Sequence, residues 1–379
     1  MRQIIIITLF LSVIISQNKM DAIQPFLGFS GSQSLQTAIG NATVSAGETM
    51  LGYTSNPANL GVQRFSTLSS NLYNSNYSSN RDASASGFSS LYAILPMPVY
   101  QGSLVFGVGI NKETKFSGAF NGDGYYLTED GGIFTTSIGA AIEFSRHLYL
   151  GVDLKYYRGE YELFIAYDEF TDFLNPTYRG FGASIGFLQK YSPKIQFGGS
   201  LELPIKLKVS DRWVYSDLTD YDNSFDEPWE YKLKKPMTLH LGWSVNLPIM
   251  NFYYEMQWQD MSNLEFRSDN IVEADGVTPA EIAINNDIKN SFESTVSHHV
   301  GVAAHIPVIP LHLYGGFQYL PTAYDGAYDD DRQLSFSGGF SLMMNQQFSL
   351  HGSYVNYFWK QNDSNESYSQ MNFGISLHY

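Results

Sequence analysis

The sequence predicts an all-β protein: a closed, fourteen-stranded antiparallel transmembrane β-barrel with an N-terminal hatch inside its lumen. Three observations predict it. Segments of about ten residues alternate strictly between apolar and polar side chains, the length a tilted strand needs to cross a bilayer. Their connections alternate between short turns and long polar loops. The chain also ends on "SYSQMNFGISLHY", with Met371, Phe373, Ile375, Leu377 and Tyr379 on one face. Chain ends are usually frayed and polar, so this one is shaped to lie between lipid and water, with Tyr379 in an aromatic girdle at one rim.

Composition agrees. Tyr (27) and Phe (26) are abundant and both favour strands. The absence of cysteine excludes disulfides, thiol nucleophiles and cysteine metal sites. A net charge of −15 argues against a nucleic-acid partner, whose phosphates it would repel.

Taken in order, residues 1–18 read as a signal peptide. Arg2 is the positive flank, and the apolar run Ile4–Ile15 is too short to span a bilayer. Residues 19–62 do not alternate. They are rich in Gly, Ser, Ala and Asn and read as a small folded insert for the lumen. Residues 63–379 read as the barrel. Its segments centre near residues 69, 91, 107, 138, 153, 184, 201, 241, 257, 300, 315, 338, 353 and 373. In "MTLHLGWSVNL", Leu239, Leu241, Trp243 and Val245 oppose Thr238, His240, Gly242 and Ser244. Short turns fall at positions such as Ser145–His147 and Asn345–Gln347. Long loops are expected near 75–85, 113–131, 160–176, 210–232, 266–293, 321–332 and 360–366. A soluble sandwich would carry many charges on its outward faces; here the charges concentrate in the loops. A barrel of this size has a backbone diameter of roughly 28 Å, too wide for wall side chains to fill.

Asn56-Pro57-Ala58 is a turn signal, because Pro57 fixes φ and Asn56 can bond its own backbone. Taken with Ala38-Ile39-Gly40-Asn41-Ala42, Ala46-Gly47 and the following Asn59-Leu60, it resembles the N-terminal hatch of the FadL/TodX-type outer-membrane transporters of long-chain fatty acids. The resemblance implies a plugged barrel in the outer membrane of a Gram-negative bacterial cell. The terminal strand itself resembles the signal by which the barrel-assembly machinery recognises outer-membrane proteins, and a monomer is expected. The hatch resemblance implies diffusion-driven uptake of hydrophobic compounds, with outer-membrane lipid and a hydrophobic small molecule as partners. No enzyme activity or cofactor is implied. Asn59 stands where that family usually has Gly, and Ser55 where an aromatic is common. A related barrel, the PorV/PorQ-type component of the type IX secretion system, which binds secreted proteins or partners, is the alternative.

The alternation places Glu143, Asp153, Lys155, Glu202, Lys206, Lys208 and Glu255 toward the lumen. Lys155 and Lys206 lie near the long-loop end and are candidates to hold a ligand carboxylate, against the favoured reading that such cations form internal bridges. Arg179 shares the lipid-facing phase of Phe181. His240, His299, His305, His312, His351 and His378 point inward without metal-ligand spacing and read as polar lining, so no metal site is expected. Asp325, Asp329, Asp330 and Asp331 read as a solvated loop face. The aromatics Trp213, Tyr215, Tyr221, Phe225, Trp229 and Tyr231 are candidates for a groove that collects apolar ligands.

Overall fold

The computed structural model describes residues 22–26, 33–47, 53–78, 83–122, 124–219, 224–268, 271, 279–324, 332–361 and 364–379. The signal-peptide segment, Tyr221 and the acidic run Asp325, Asp329, Asp330 and Asp331 lie outside the described residues.

In chain order the strands begin β1 Thr67–Ser78, β2 Ala83–Met97, β3 Leu104–Gly122, β4 Tyr125–Ser145, β5 Leu148–Tyr167 and β6 Phe170–Leu174. They continue as β7 Thr177–Lys190, β8 Ile195–Glu202, β9 Ile205–Asp217, β10 Phe225–Lys235, β11 Thr238–Asn246 and β12 Met250–Asp260. The last are β13 Glu265–Arg267, β14 Ser294–His305, β15 Leu311–Leu320, β16 Gln333–Asn345, β17 Phe348–Gln361 and β18 Ser364–His378. Each pairs antiparallel with its neighbours. The terminal strand β18 pairs with β1 from Thr67↔His378 to Ser78↔Ser367, which closes the sheet on itself.

Eighteen strand segments stand where the alternation predicts fourteen strands. Interruptions account for the difference: Asn175–Pro176 after β6, Leu203–Pro204 after β8, Pro236 after β10, and a 3-10 turn at Met261–Asn263 after β12. Proline lacks the N–H a ladder needs, which favours a break at three of these four places. Pairing resumes beyond the break: β7 bonds to β8 at Ser184↔Glu202 and to β9 at Phe181↔Lys206.

Three expected loops are also strand. Residues 113–122 and 125–131, 160–167 and 170–174, and 210–217 and 225–232 extend the β3–β4, β5–β6 and β9–β10 hairpins. β3, β4 and β5 run 19, 21 and 20 residues. Crossing a bilayer takes about ten, so these ribbons stand roughly 30 Å clear of it. Gly131 and Gly132, with φ of 120° and 158°, disrupt the two-residue period there and disguise the strand. The expected loop 266–293 contains a helix, Ala280–Ser291.

One face of the sheet carries an exposed apolar band that includes Leu72, Phe106, Ile138, Leu154, Phe187, Trp243, Phe340 and Phe373. Ile138 is 63% and Leu154 66% exposed. Such a band is unfavourable in water and at rest in hydrocarbon, so it is the lipid-facing wall of a membrane-spanning barrel. None of the helices among the described residues is long and apolar enough to cross a membrane; the strands do so.

The other face surrounds residues 33–47 and 53–62. A short helix, α1 (Ser34–Ala38), contacts β15, β16, β17 and β18, while a 3-10 turn at Pro57–Val62 contacts β3, β4, β5 and β7. Elements from most of the circumference thus touch one segment, which places it inside the ring. Glycine permits the approach. A methyl group at Gly151, Gly186, Gly198 or Gly316 would collide with Pro57, Asn56, Val44 or Gly40 respectively.

Candidate functional site

The inner segment is fastened to the wall by buried polar groups. Asn56 caps the 3-10 turn: its Oδ1 accepts from Ala58 N at 3.0 Å. Its Nδ2 donates to Val44 O at 2.7 Å and to Phe187 O on β7 at 2.9 Å. Pro57 occupies the first turn, where its missing N–H costs nothing, and Ala58 is fully buried beside Tyr149 and Leu188. The motif is therefore a buried joint between segment and wall, not a surface turn. Glu255 on β12 supplies a second fastening, since Oε2 accepts from Thr43 N and Val44 N, both at 2.8 Å. Its Oε1 meets His240 Nδ1 at 2.8 Å. His299 Nδ1 donates to Gly40 O at 3.0 Å.

Above this segment lies a polar chamber of about 440 Å³, floored by Gln36, Thr54 and Ser55 and walled by Asp153, Lys155, Glu202, His240 and Glu255. Lys155 Nζ bonds Glu202 Oε1 at 2.8 Å, and Lys235 lies 3.9 Å from Glu202 Oε2. Tyr53 Oη donates to Asp153 at 3.2 Å. Asn111 Oδ1, Ser184 Oγ, Ser200 Oγ and His299 Nε2 are buried on the chamber wall without a hydrogen-bond partner among the described residues. Buried polar atoms ordinarily have partners, so the chamber suits water or a polar head group.

Above the chamber the lining turns apolar. Phe116, Ile133, Tyr157, Tyr161, Tyr178, Ile205, Leu207, Val209, Tyr231 and Leu233 form one buried cluster with Ala22 and Ile23. A second α-helix, α2 (Ala280–Ser291), adds Ile284 and Ile288, one helical turn apart on one face. Asn285 ties α2 to β13 by bonds to both the N and the O of Phe266, each 2.8 Å.

The strand ribbons carry this inward face upward. Cross-strand register puts Tyr125 opposite Tyr167, and Phe170, Tyr215 and Phe225 follow in the same phase. Their rings form a chain: Tyr125–Tyr167 at 5.5 Å, Tyr167–Phe170 at 4.3 Å, Phe170–Tyr215 at 5.4 Å, Tyr215–Phe225 at 5.3 Å and Phe225–Trp213 at 4.8 Å between centroids. Trp213 Nε1 donates to Asp172. Burial holds the Asp172 carboxyl above its ordinary range, and this bond partly offsets the shift. Trp229 packs on the apolar cluster. Trp213, Tyr215, Phe225 and Trp229, all proposed from sequence, thus share one inner surface.

The two lysines do not converge. Lys155 is buried in its ion pair with Glu202, whereas Lys206 is exposed on the outer wall. The break at Leu203–Pro204 reverses the phase, so Ile205, Leu207 and Val209 face the lumen and Lys206 and Lys208 face out. A carboxylate site shared by Lys155 and Lys206 is thereby excluded. Sequence reasoning also missed Lys115, buried with its Nζ on Gln370 Oε1 at 2.6 Å and 4.1 Å from the Tyr73 ring centre.

Three solved structures resemble this chain over nearly its whole length. A Pseudomonas aeruginosa FadL homologue matches with a TM-score of 0.67 and 13% identity, covering 93% of this chain and 99% of its own. The Ralstonia pickettii toluene transporter TbuX matches at 0.65 and 12%, with 93% and 98% covered. The Pseudomonas putida toluene transporter TodX matches at 0.63 and 12%, with the same coverage. The chain has the FadL/TodX-type barrel fold. At these identities the likeness establishes the fold of this FadL/TodX-type barrel and nothing finer. No family model matches the sequence, and no curated protein matches it.

Proposed function

We propose that the chain is an outer-membrane transport protein for the diffusion-driven uptake of hydrophobic compounds, long-chain fatty acids among them. Residues 19–62 serve as its hatch and 63–379 as its barrel. The observation that carries this reading is the inward aromatic chain Tyr125–Tyr167–Phe170–Tyr215–Phe225–Trp213, on the same strands and in the same phase as Trp229, which packs on the apolar lumen cluster. Aromatic faces hold apolar chains with little entropy cost. An amphipathic molecule descends this track tail-associated, and its head group finds the polar chamber above the hatch. The chamber is not an apolar tunnel, so passage requires the hatch fastenings at Asn56 and Glu255 to yield. No energy source is needed beyond the concentration gradient. Pairing of β1 with β18 closes the membrane-spanning wall on itself, which favours a monomer. The secretion-partner alternative calls for a flat apolar surface on the loops, whereas the loop-proximal aromatics here face inward.

The test is uptake of labelled oleate and of toluene by cells dependent on this protein. Changing Trp213, Tyr215 and Phe225 together to Ser should lower uptake about ten-fold, from loss of three ring contacts, with barrel amounts in the membrane unchanged. Unaltered uptake of both compounds would remove the proposal.

A further inference from the structure

The outer wall carries a second site. Cross-strand register aligns Arg158 with Arg179, Arg179 with Lys208, Lys208 with Lys232, and Lys232 with Arg267. Five cations therefore stand directly opposite one another across β5, β7, β9, β10 and β13, and all five are exposed. Neighbouring strands are about 4.8 Å apart, so the row spans roughly 19 Å. Lys206 and Lys234 form the next row down, opposite each other. That is seven cations in one patch, out of 22 in a chain of net charge −15.

Like charges placed directly opposite destabilise a sheet, so such a row needs an anion. The described residues supply too few. Glu230 reaches Lys208 at 3.0 Å, and Glu265 reaches both Lys234 at 2.5 Å and Arg267 at 2.9 Å. Arg158, Arg179, Lys206 and Lys232 have no ion-pair partner among the described residues. Most of these side chains line a groove of about 670 Å³ on the outside of the barrel, with Tyr156 and Phe181 at its lower edge. Phe181, 70% exposed, and Leu154 and Ile185 beneath it belong to the lipid-facing band. The cations thus sit at the upper boundary of that band, on the side of the strand ribbons, where lipid head groups lie.

We propose that this groove binds the phosphate groups of an anionic lipid of the surrounding outer leaflet, with Arg179, Lys206 and Lys232 as its principal contacts. Guanidinium and ammonium groups around phosphate oxygens make short, charge-assisted bonds. The lipid's acyl chains then lie along Phe181, Leu154 and Ile185. The proposal rests on the membrane-barrel reading. It is independent of what the lumen carries, so uptake and lipid retention can fail separately.

Native mass spectrometry of the full chain in zwitterionic detergent tests it. The probes are a bisphosphorylated hexa-acyl glucosamine disaccharide lipid, the same lipid without phosphates, and sodium phosphate alone. The bisphosphorylated lipid should be retained at about ten-fold lower concentration than its dephosphorylated form, and sodium phosphate alone should not bind. R179Q/K206Q/K232Q should abolish that preference, and R179K/K206R/K232R should keep it. The same lipid should shield Lys206 and Lys232 of the unaltered protein from amine acylation, a readout that does not depend on any variant folding. Equal retention of the two lipids, an undiminished preference in the glutamine variant, or equally tight binding of sodium phosphate alone would overturn the proposal. So would acylation of both lysines at the same rate with and without lipid.

Discussion

Asn56 holds three backbone atoms at once: Ala58 N, Val44 O and Phe187 O. Only an amide offers one acceptor and two donors on so short a stem, which explains why Asn and not Asp or Ser begins the Asn-Pro-Ala motif. Asn56→Ala removes one donor from each of two carbonyls and removes a cap. The expected cost to the inner segment is about 2–4 kcal/mol. Hydrogen exchange of the amides between 53 and 62 would read this directly; wild-type protection in the variant would refute it. The same scale shows where sequence reading reached its limit. Asn56, Pro57 and Ala58 are legible as a turn, but the carbonyl of Phe187, 131 residues away, is not. Lys155 is legible as inward-facing, and its internal bridge to Glu202 is the reading favoured from sequence. Lys206 is misplaced because strict alternation was carried through Pro204, across a one-residue change of phase.

At the scale of elements, the strands that alternate without interruption are read from sequence almost to their ends; β11 and β18 are examples. The misread elements share one cause. Where glycine, proline or acidic residues interrupt the period, neighbouring strands and not local pattern decide whether the backbone stays extended. β3, β4 and β5 stay extended because each finds a ladder partner beyond the bilayer. α2 forms because Ile284 and Ile288 find an apolar surface of Met261, Leu264 and Phe266 beneath them. Its intrinsic tendency is weak, with two adjacent asparagines and no side-chain cap at its start. Ile288→Ser removes a fully buried side chain and should cost about 2 kcal/mol. The barrel should remain folded while α2 loosens. Trypsin should then cleave after Lys289 several-fold faster than in the unaltered protein. An unchanged cleavage rate would mean that the helix does not depend on this contact.

For the whole molecule, the question is what keeps a wide cylinder closed. A ring this large cannot fill itself with wall side chains; here the inner segment, the polar chamber's ion pairs and the apolar cluster divide the lumen into layers. The first layer depends on glycines that admit the segment's backbone. Replacing Gly151 and Gly186 together by Leu fills the space of Pro57 and Asn56 and should expel the 3-10 turn. In planar bilayers the unaltered protein should show no resolved conductance steps, and the double variant should show discrete ones. A silent variant with the normal heat-modifiable mobility of a folded barrel would show that the upper layers alone seal the pore.

The sequence by itself determined the class of the molecule: an antiparallel barrel whose alternate residues meet lipid, an N-terminal segment unlike the rest, and aromatics gathered near one end. These follow from the two-residue period of a strand, which is local and survives without knowledge of any partner. Only the tertiary structure decided the number of strand segments, the outward turn of Lys206, the burial of Asn56 against Phe187, and the alignment of five cations across five strands. Each of those depends on register between segments far apart in the chain, and a single bulge or proline resets register without leaving a pattern that one segment can display.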